Sequence, residues 1–79
     1  MEKLSVKKIK AARELLGWSQ ELLAAASGVS LPTVQRLEAA GGDLGGKPET
    51  RGKIIAAFTG AGIEFTHDGM RLRVRKGPL

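Results

Sequence analysis

Residues 19 to 38, SQELLAAASGVSLPTVQRLE, constrain this chain more than any other stretch. They carry two short helical patterns separated by one glycine. Ser19 is an N-cap, because its hydroxyl can accept from an orphan amide of the first helical turn. Leu22, Leu23 and Ala26 then recur at helical spacing, and the pattern stops at Ser27-Gly28. A tight bend there needs a positive φ, which glycine adopts at little cost. Val29 packs in the elbow. Ser30 caps a second helix, and Pro32 falls in its first turn, where a missing amide proton costs nothing. Val34 and Leu37 point one way, leaving Leu31, Thr33, Gln35 and Arg36 for another surface. Ala24 is small where two crossing helices approach. These features together spell a helix-turn-helix.

A chain of 79 residues makes one domain, near the lower limit of what folds without staples or oligomerisation. The absence of cysteine excludes disulfides and thiolate metal sites and agrees with a reducing cytoplasm. No apolar leader and no membrane-spanning run is visible, so no membrane association is expected. The net charge of +5 favours a polyanionic partner, nucleic acid above all. The charge is uneven. Residues 1–16 sum to +3 and residues 63–79 to +2, with the middle close to neutral. Catalysis is not expected: the one histidine, His67, falls in a turn, and no carboxylates converge. No catalytic residue, metal ligand or cofactor is assigned. RNA binding lacks its usual signal, since no stacking aromatics alternate with the basic residues.

The 19–38 run resembles the Cro and phage-repressor type of helix-turn-helix domain, the xenobiotic-response-element family of bacterial regulators. Gln20, Ala24, Gly28, Val29, Ser30, Thr33, Val34, Leu37 and Glu38 carry the resemblance, with Ile9, Arg13 and Leu16-Gly17-Trp18 upstream. It extends over roughly residues 6 to 62. Leu22 departs from it, standing where many members have a glutamate able to complete a capping box with Ser19. The resemblance implies a mainly α, four-to-five-helix repressor-like domain, to which the sequence adds a C-terminal antiparallel β-hairpin. It also implies a sequence-specific DNA-binding transcriptional regulator, of repressor kind; the absent cysteines add a cytoplasmic location, and edge pairing of the hairpin between identical chains a homodimer. Arg13 and Glu38 match family positions that form a structural ion pair between the first and third helices, and Gln20 matches a glutamine that holds a backbone phosphate.

Residues 1–4 are expected to fray. Ser5 caps a first helix from Val6 to Leu16, ended by Gly17, with Ile9, Ala12 and Leu16 buried and Leu15 flanking. Lys7, Lys8 and Lys10 read either as a solvated face or as phosphate attractors. Trp18 reads as a core plug. Residues 39–47, AAGGDLGGK, read as a flexible connector with Leu44 as an anchor; a phosphate-cradling loop lacks its Lys-Ser/Thr ending. By family resemblance this loop lies along the DNA backbone, which makes Lys47 a phosphate contact. Pro48 opens a fourth helix to about Ala61, with Ile54, Ile55 and Phe58 apolar. Gly52 within it calls for a packing reason.

Residues 63–75 change period. Ile63 and Phe65 alternate with polar residues, as do Met70, Leu72 and Val74 with three arginines, and Asp68-Gly69 reads as a two-residue turn. A lone hairpin is marginal in water. Ile63, Phe65, Met70, Leu72 and Val74 must therefore pack on the helices, join a second subunit, or both. The domain plan is 1–62 for the DNA-binding domain, 63–76 for the hairpin as a dimerisation element, and 77–79 for a tail.

The second motif helix, residues 31 to about 39, is the element suited to the major groove. Gln20, Ser30, Leu31, Pro32, Thr33, Gln35, Arg36 and Lys47 form the DNA-binding set. Arg36 can donate twice to guanine, and Gln35 can pair with adenine. Leu31 and Pro32 suit a thymine methyl, while Ser30 and Thr33 can reach phosphates or bases. The alternative is a protein-interaction or antitoxin-like module with a protein partner, supported by the hairpin's apolar face.

Overall fold

The computed structural model describes residues 5–66 and 69–72. Four helices come first: α1 (Val6–Leu16), α2 (Gln20–Ser27), α3 (Leu31–Ala40) and α4 (Pro48–Gly60). Strands β1 (Ile63–Thr66) and β2 (Gly69–Leu72) follow as an antiparallel pair. This is the mainly α domain with a terminal hairpin that the sequence predicts.

Three serines start three helices. The hydroxyls of Ser5, Ser19 and Ser30 accept from the amides of Lys8, Leu22 and Thr33. Such caps contribute about 1 kcal/mol each. α2 ends at Gly28, whose φ of 76° is left-handed, a region where side-chain-bearing residues are strained. The Val29 amide donates to Ser27 Oγ at 3.2 Å, which carries the chain from the bend towards α3. Val29 itself is buried.

α2 packs on α3 and α4, α1 on α3 and β2, and α4 on β1. The core between them holds Val6, Ile9, Ala12, Leu23, Val34, Leu37, Ile54, Phe58 and Ile63. Phe58 lies at its centre, fully buried. Trp18 stacks on Phe58 with ring centroids 5.6 Å apart. Phe65 meets the same ring edge-on at 6.2 Å.

Several expectations are corrected. Of the Leu22–Leu23–Ala26 stripe, only Leu23 is buried; Leu22 is 46% exposed and Ala26 is exposed. Neighbouring helical residues point about 100° apart, so with Leu23 turned into the core Leu22 faces outward. Leu15 is likewise 48% exposed.

The glycine-rich segment is anchored rather than a free connector, and its first two residues complete α3. The Val6 amide donates to the Gly42 carbonyl at 2.8 Å, and Ser5 bridges Asp43. Leu44 is buried, and Arg51 Nη1 donates to the Gly46 carbonyl at 2.6 Å. Gly46 has φ +85°, and a Cβ built there would lie 3.3 Å from Leu37 Cδ2. Glycine is used here to let the loop turn against the core.

In the hairpin, Thr66 pairs with Gly69 and Phe65 with Met70. Gly69 is thus a strand residue, and the two-residue connection is 67–68, outside the described residues. The expected and observed registers differ by two residues, which leaves every side chain on the same face. Apolar alternation therefore could not choose between them. Val74, the arginines at 73 and 75, His67, residues 1–4 and the 77–79 tail also lie outside the described residues. Among the described residues nothing lies within 4 Å of a Cβ built at Gly52, so no packing contact there accounts for the glycine.

Candidate nucleic-acid interface

The two sides of α3 differ in composition. Val34, Leu37 and Glu38 are buried inward, while Pro32, Gln35 and Arg36 are exposed outward. Ser30 is also exposed, and Leu31 and Thr33 are half-buried. Apolar residues on the inner side hold the helix against α1 and α2, and donor-bearing side chains occupy the outer one.

A polar cluster sets the position of α3. Arg13 Nε donates to Glu38 Oε2 at 2.8 Å, and Nη2 donates to Oε1 at 2.9 Å. Arg13 Nη1 also donates to the Trp18 carbonyl at 3.1 Å. Gln20 Nε2 donates to Glu38 Oε1 at 2.9 Å. One carboxylate thus joins α1, the start of α2 and the later turns of α3, although Glu38 is only 3% exposed. Burial raises the Glu38 pKa, but hydrogen bonds from Arg13 and Gln20, with the charges of Arg13 and Lys10, lower it below its ordinary value of 4.5. The carboxylate stays ionised because its donors outweigh its desolvation.

Gln20 is half-buried, and its amide nitrogen has two protons. One goes to Glu38, which leaves the second to donate elsewhere. Lys47 is exposed at the N-cap of α4, without a side-chain cap bond. Lys7 and Lys10 line a shallow groove between the start of α1 and residues 41–43.

A further contact on the outer side of α3 had no counterpart in the sequence reading. Ser30 Oγ donates to Thr33 Oγ1 at 2.9 Å, and Arg36 Nη2 donates to the same oxygen at 3.5 Å. The spacing of 30, 33 and 36 was the available signal, since side chains three apart on a helix are neighbours.

The hairpin residues lie elsewhere. Ile63 is buried in the core of its own chain, and Phe65 and Met70 are partly buried against that core. Leu72 is paired with Ile63 in the backbone register. Among the described residues, no group of three or more potential metal ligands occurs, and no helix is long and apolar enough to cross a membrane.

Residues 9–45 match the family model described as helix-turn-helix, of Cro and repressor type. The match takes in Arg13, Gln20, all of α2 and α3, and Glu38; Lys47 and the hairpin lie beyond it. No curated protein and no solved structure matches the chain.

Proposed function

We propose that this protein is a sequence-specific transcriptional repressor placing α3 in the major groove of duplex DNA, a reading supported by the match of residues 9–45 to the helix-turn-helix model, whose general role is DNA binding. The observation that carries the reading is the exposed side of α3, where Gln35 and Arg36 stand out from a helix braced from behind by Glu38. A B-form major groove admits a helix of this kind. Arg36 then addresses guanine and Gln35 adenine, with Leu31 and Pro32 against thymine methyls. Ser30 and Thr33 reach phosphates or base edges. The second amide proton of Gln20 and the ammonium of Lys47 hold phosphates, which fix register without reading sequence.

Few readers per subunit make recognition depend on two half-sites, hence on a dimer. The hairpin is our candidate dimerisation element, by edge-to-edge pairing of strands from two copies of the chain. Ile63, Phe65 and Met70 face their own core, so in this arrangement they seat the strands that pair. Sedimentation across a concentration series tests the dimer, and a monomer at every concentration removes it.

Binding to random-sequence duplex should weaken steeply with salt, as phosphate contacts release counterions. A Gln20→Ala, Arg36→Ala double variant should bind more weakly with a shallower slope. Arg36→Ala alone should cost about 1–3 kcal/mol and relax preference at one base position. Binding indifferent to these substitutions would transfer the argument to a protein-interaction module. The feature favouring that reading is the exposure of Leu15 and Leu22.

A further inference from the structure

The hydroxyl of Thr33 sits between a helix cap and the strongest base-reading candidate. It accepts from Ser30 Oγ at 2.9 Å and from Arg36 Nη2 at 3.5 Å. Ser30 Oγ in turn accepts from the Thr33 amide at 3.4 Å. A threonine hydroxyl has two acceptor sites and one proton. Both acceptor sites are engaged by Ser30 and Arg36, so the Thr33 proton is the group's remaining capacity.

We infer that Thr33 is a positioning residue for Arg36: it holds the guanidinium along α3 in the orientation that presents the rest of its fork to a guanine, and donates its own hydroxyl proton to an acceptor on the DNA. This rests on the DNA-binding reading and deepens it. Arginine has a long, rotamer-rich side chain, and fixing it before binding reduces the entropy lost on contact. In the free protein the relay is exposed and water competes with it. Once the groove covers α3, water leaves and these hydrogen bonds strengthen. The N-cap of the recognition helix is thereby linked to base preference six residues later. Leu31 and Pro32 offer no such support, because neither side chain has a donor or acceptor.

The experiment compares Thr33→Val, Thr33→Ser, Arg36→Ala and the Thr33→Val, Arg36→Ala double variant of the full chain. Selection from a randomised duplex library gives preference at each base position, and salt titration gives overall affinity. Valine has nearly the shape of threonine without the hydroxyl; serine keeps the hydroxyl. Thr33→Val should reduce preference about two- to tenfold at the position that Arg36→Ala relaxes, the range expected for one hydrogen bond. Thr33→Ser should retain that preference. In the Arg36→Ala background, Thr33→Val should have no further effect there. Circular dichroism melts identify any loss due to unfolding, and NMR of the Arg36 side-chain N–H groups reads the contact directly. A Thr33→Val protein whose Arg36 signals and base preference match the parent overturns the inference while leaving the DNA reading intact. So does a loss that persists undiminished in the Arg36→Ala background. If Arg36→Ala itself leaves sequence preference unchanged, the groove assignment and this inference fall together.

Discussion

The motif and the hairpin are held to one core by different chemistry. α3 has directional contacts in addition to its buried Val34 and Leu37: one buried carboxylate receives three hydrogen bonds from two side chains, contributed by α1 and α2. The hairpin is located by apolar burial, with Ile63 in the core and Phe65 against Phe58. Directional bonds tolerate little displacement, whereas apolar contact is non-directional. The difference matches the demands on the two regions. A helix that reads base edges must be held in rotation and register, but a seated hairpin need only stay covered. The contrast can be broken from either side.

The largest effect is expected at Glu38. Glu38→Ala leaves Arg13 without its buried partner, and breaking such a pair costs about 3–5 kcal/mol. For a domain whose whole stability is about 4–12 kcal/mol, urea unfolding should show a marginal or unfolded protein. The parent should also carry a pH signature. Because the folded Glu38 pKa lies below its ordinary 4.5, its contribution is fully present above that value. It is lost as pH falls through the lower, folded value. In Glu38→Gln this acid-side loss should be smaller than in the parent. Equal acid sensitivity in the two proteins would show that other carboxylates control it.

Phe65 tests the other region. Phe65→Ala removes a partly buried ring and its edge contact with Phe58, and should cost about 2 kcal/mol, below the 3–5 typical of a fully buried Phe. Its cost should be nearly independent of pH from 3 to 7, unlike that of Glu38→Ala. A Phe65 effect as large as that of Glu38 would make the hairpin an equal part of the core.

The features legible in the sequence were those with local causes. Ser5, Ser19 and Ser30 are caps, Gly17 and Gly28 end helices, and Pro48 begins one; each follows from backbone chemistry within four residues. The outer side of α3 was legible for the same reason, because Val34 and Leu37 show which way the helix faces. The phase of α2 was not. Residues 22–26 are apolar without interruption, so a 3.6-residue period selects no side, and only contact with α3 and α4 shows that Leu23 is inward. The anchored loop was hidden because Val6–Gly42 joins residues far apart in the chain, and Leu37–Gly46 meets across a loop with no regular period. Four glycines in nine residues look alike whether the backbone is free or folded against a neighbour. The Ser30–Thr33–Arg36 relay had the right spacing, but spacing alone does not show which rotamers meet.

The smallest predictions concern two glycines, one in the motif and one in α4, the helix that packs on both the motif and the hairpin, with opposite signs. Gly28 has φ +76° in the bend that sets α3 against α2. A Cβ there meets nothing within 4 Å, so the cost of Gly28→Ala is conformational, about 1–2 kcal/mol. Gly52 stands in the interior of α4, again with open space around a Cβ, but outside the left-handed region. Alanine there loses less chain entropy on folding and favours the helix, so Gly52→Ala should stabilise the protein by about 0.5–1 kcal/mol. Thermal melts of the two variants beside the parent should move in opposite directions. If Gly52→Ala lowers the melting temperature, that face of α4 has a contact which the isolated chain does not show. The same loss appearing only at concentrations where the chain self-associates would place α4, rather than the hairpin edge, at the subunit interface.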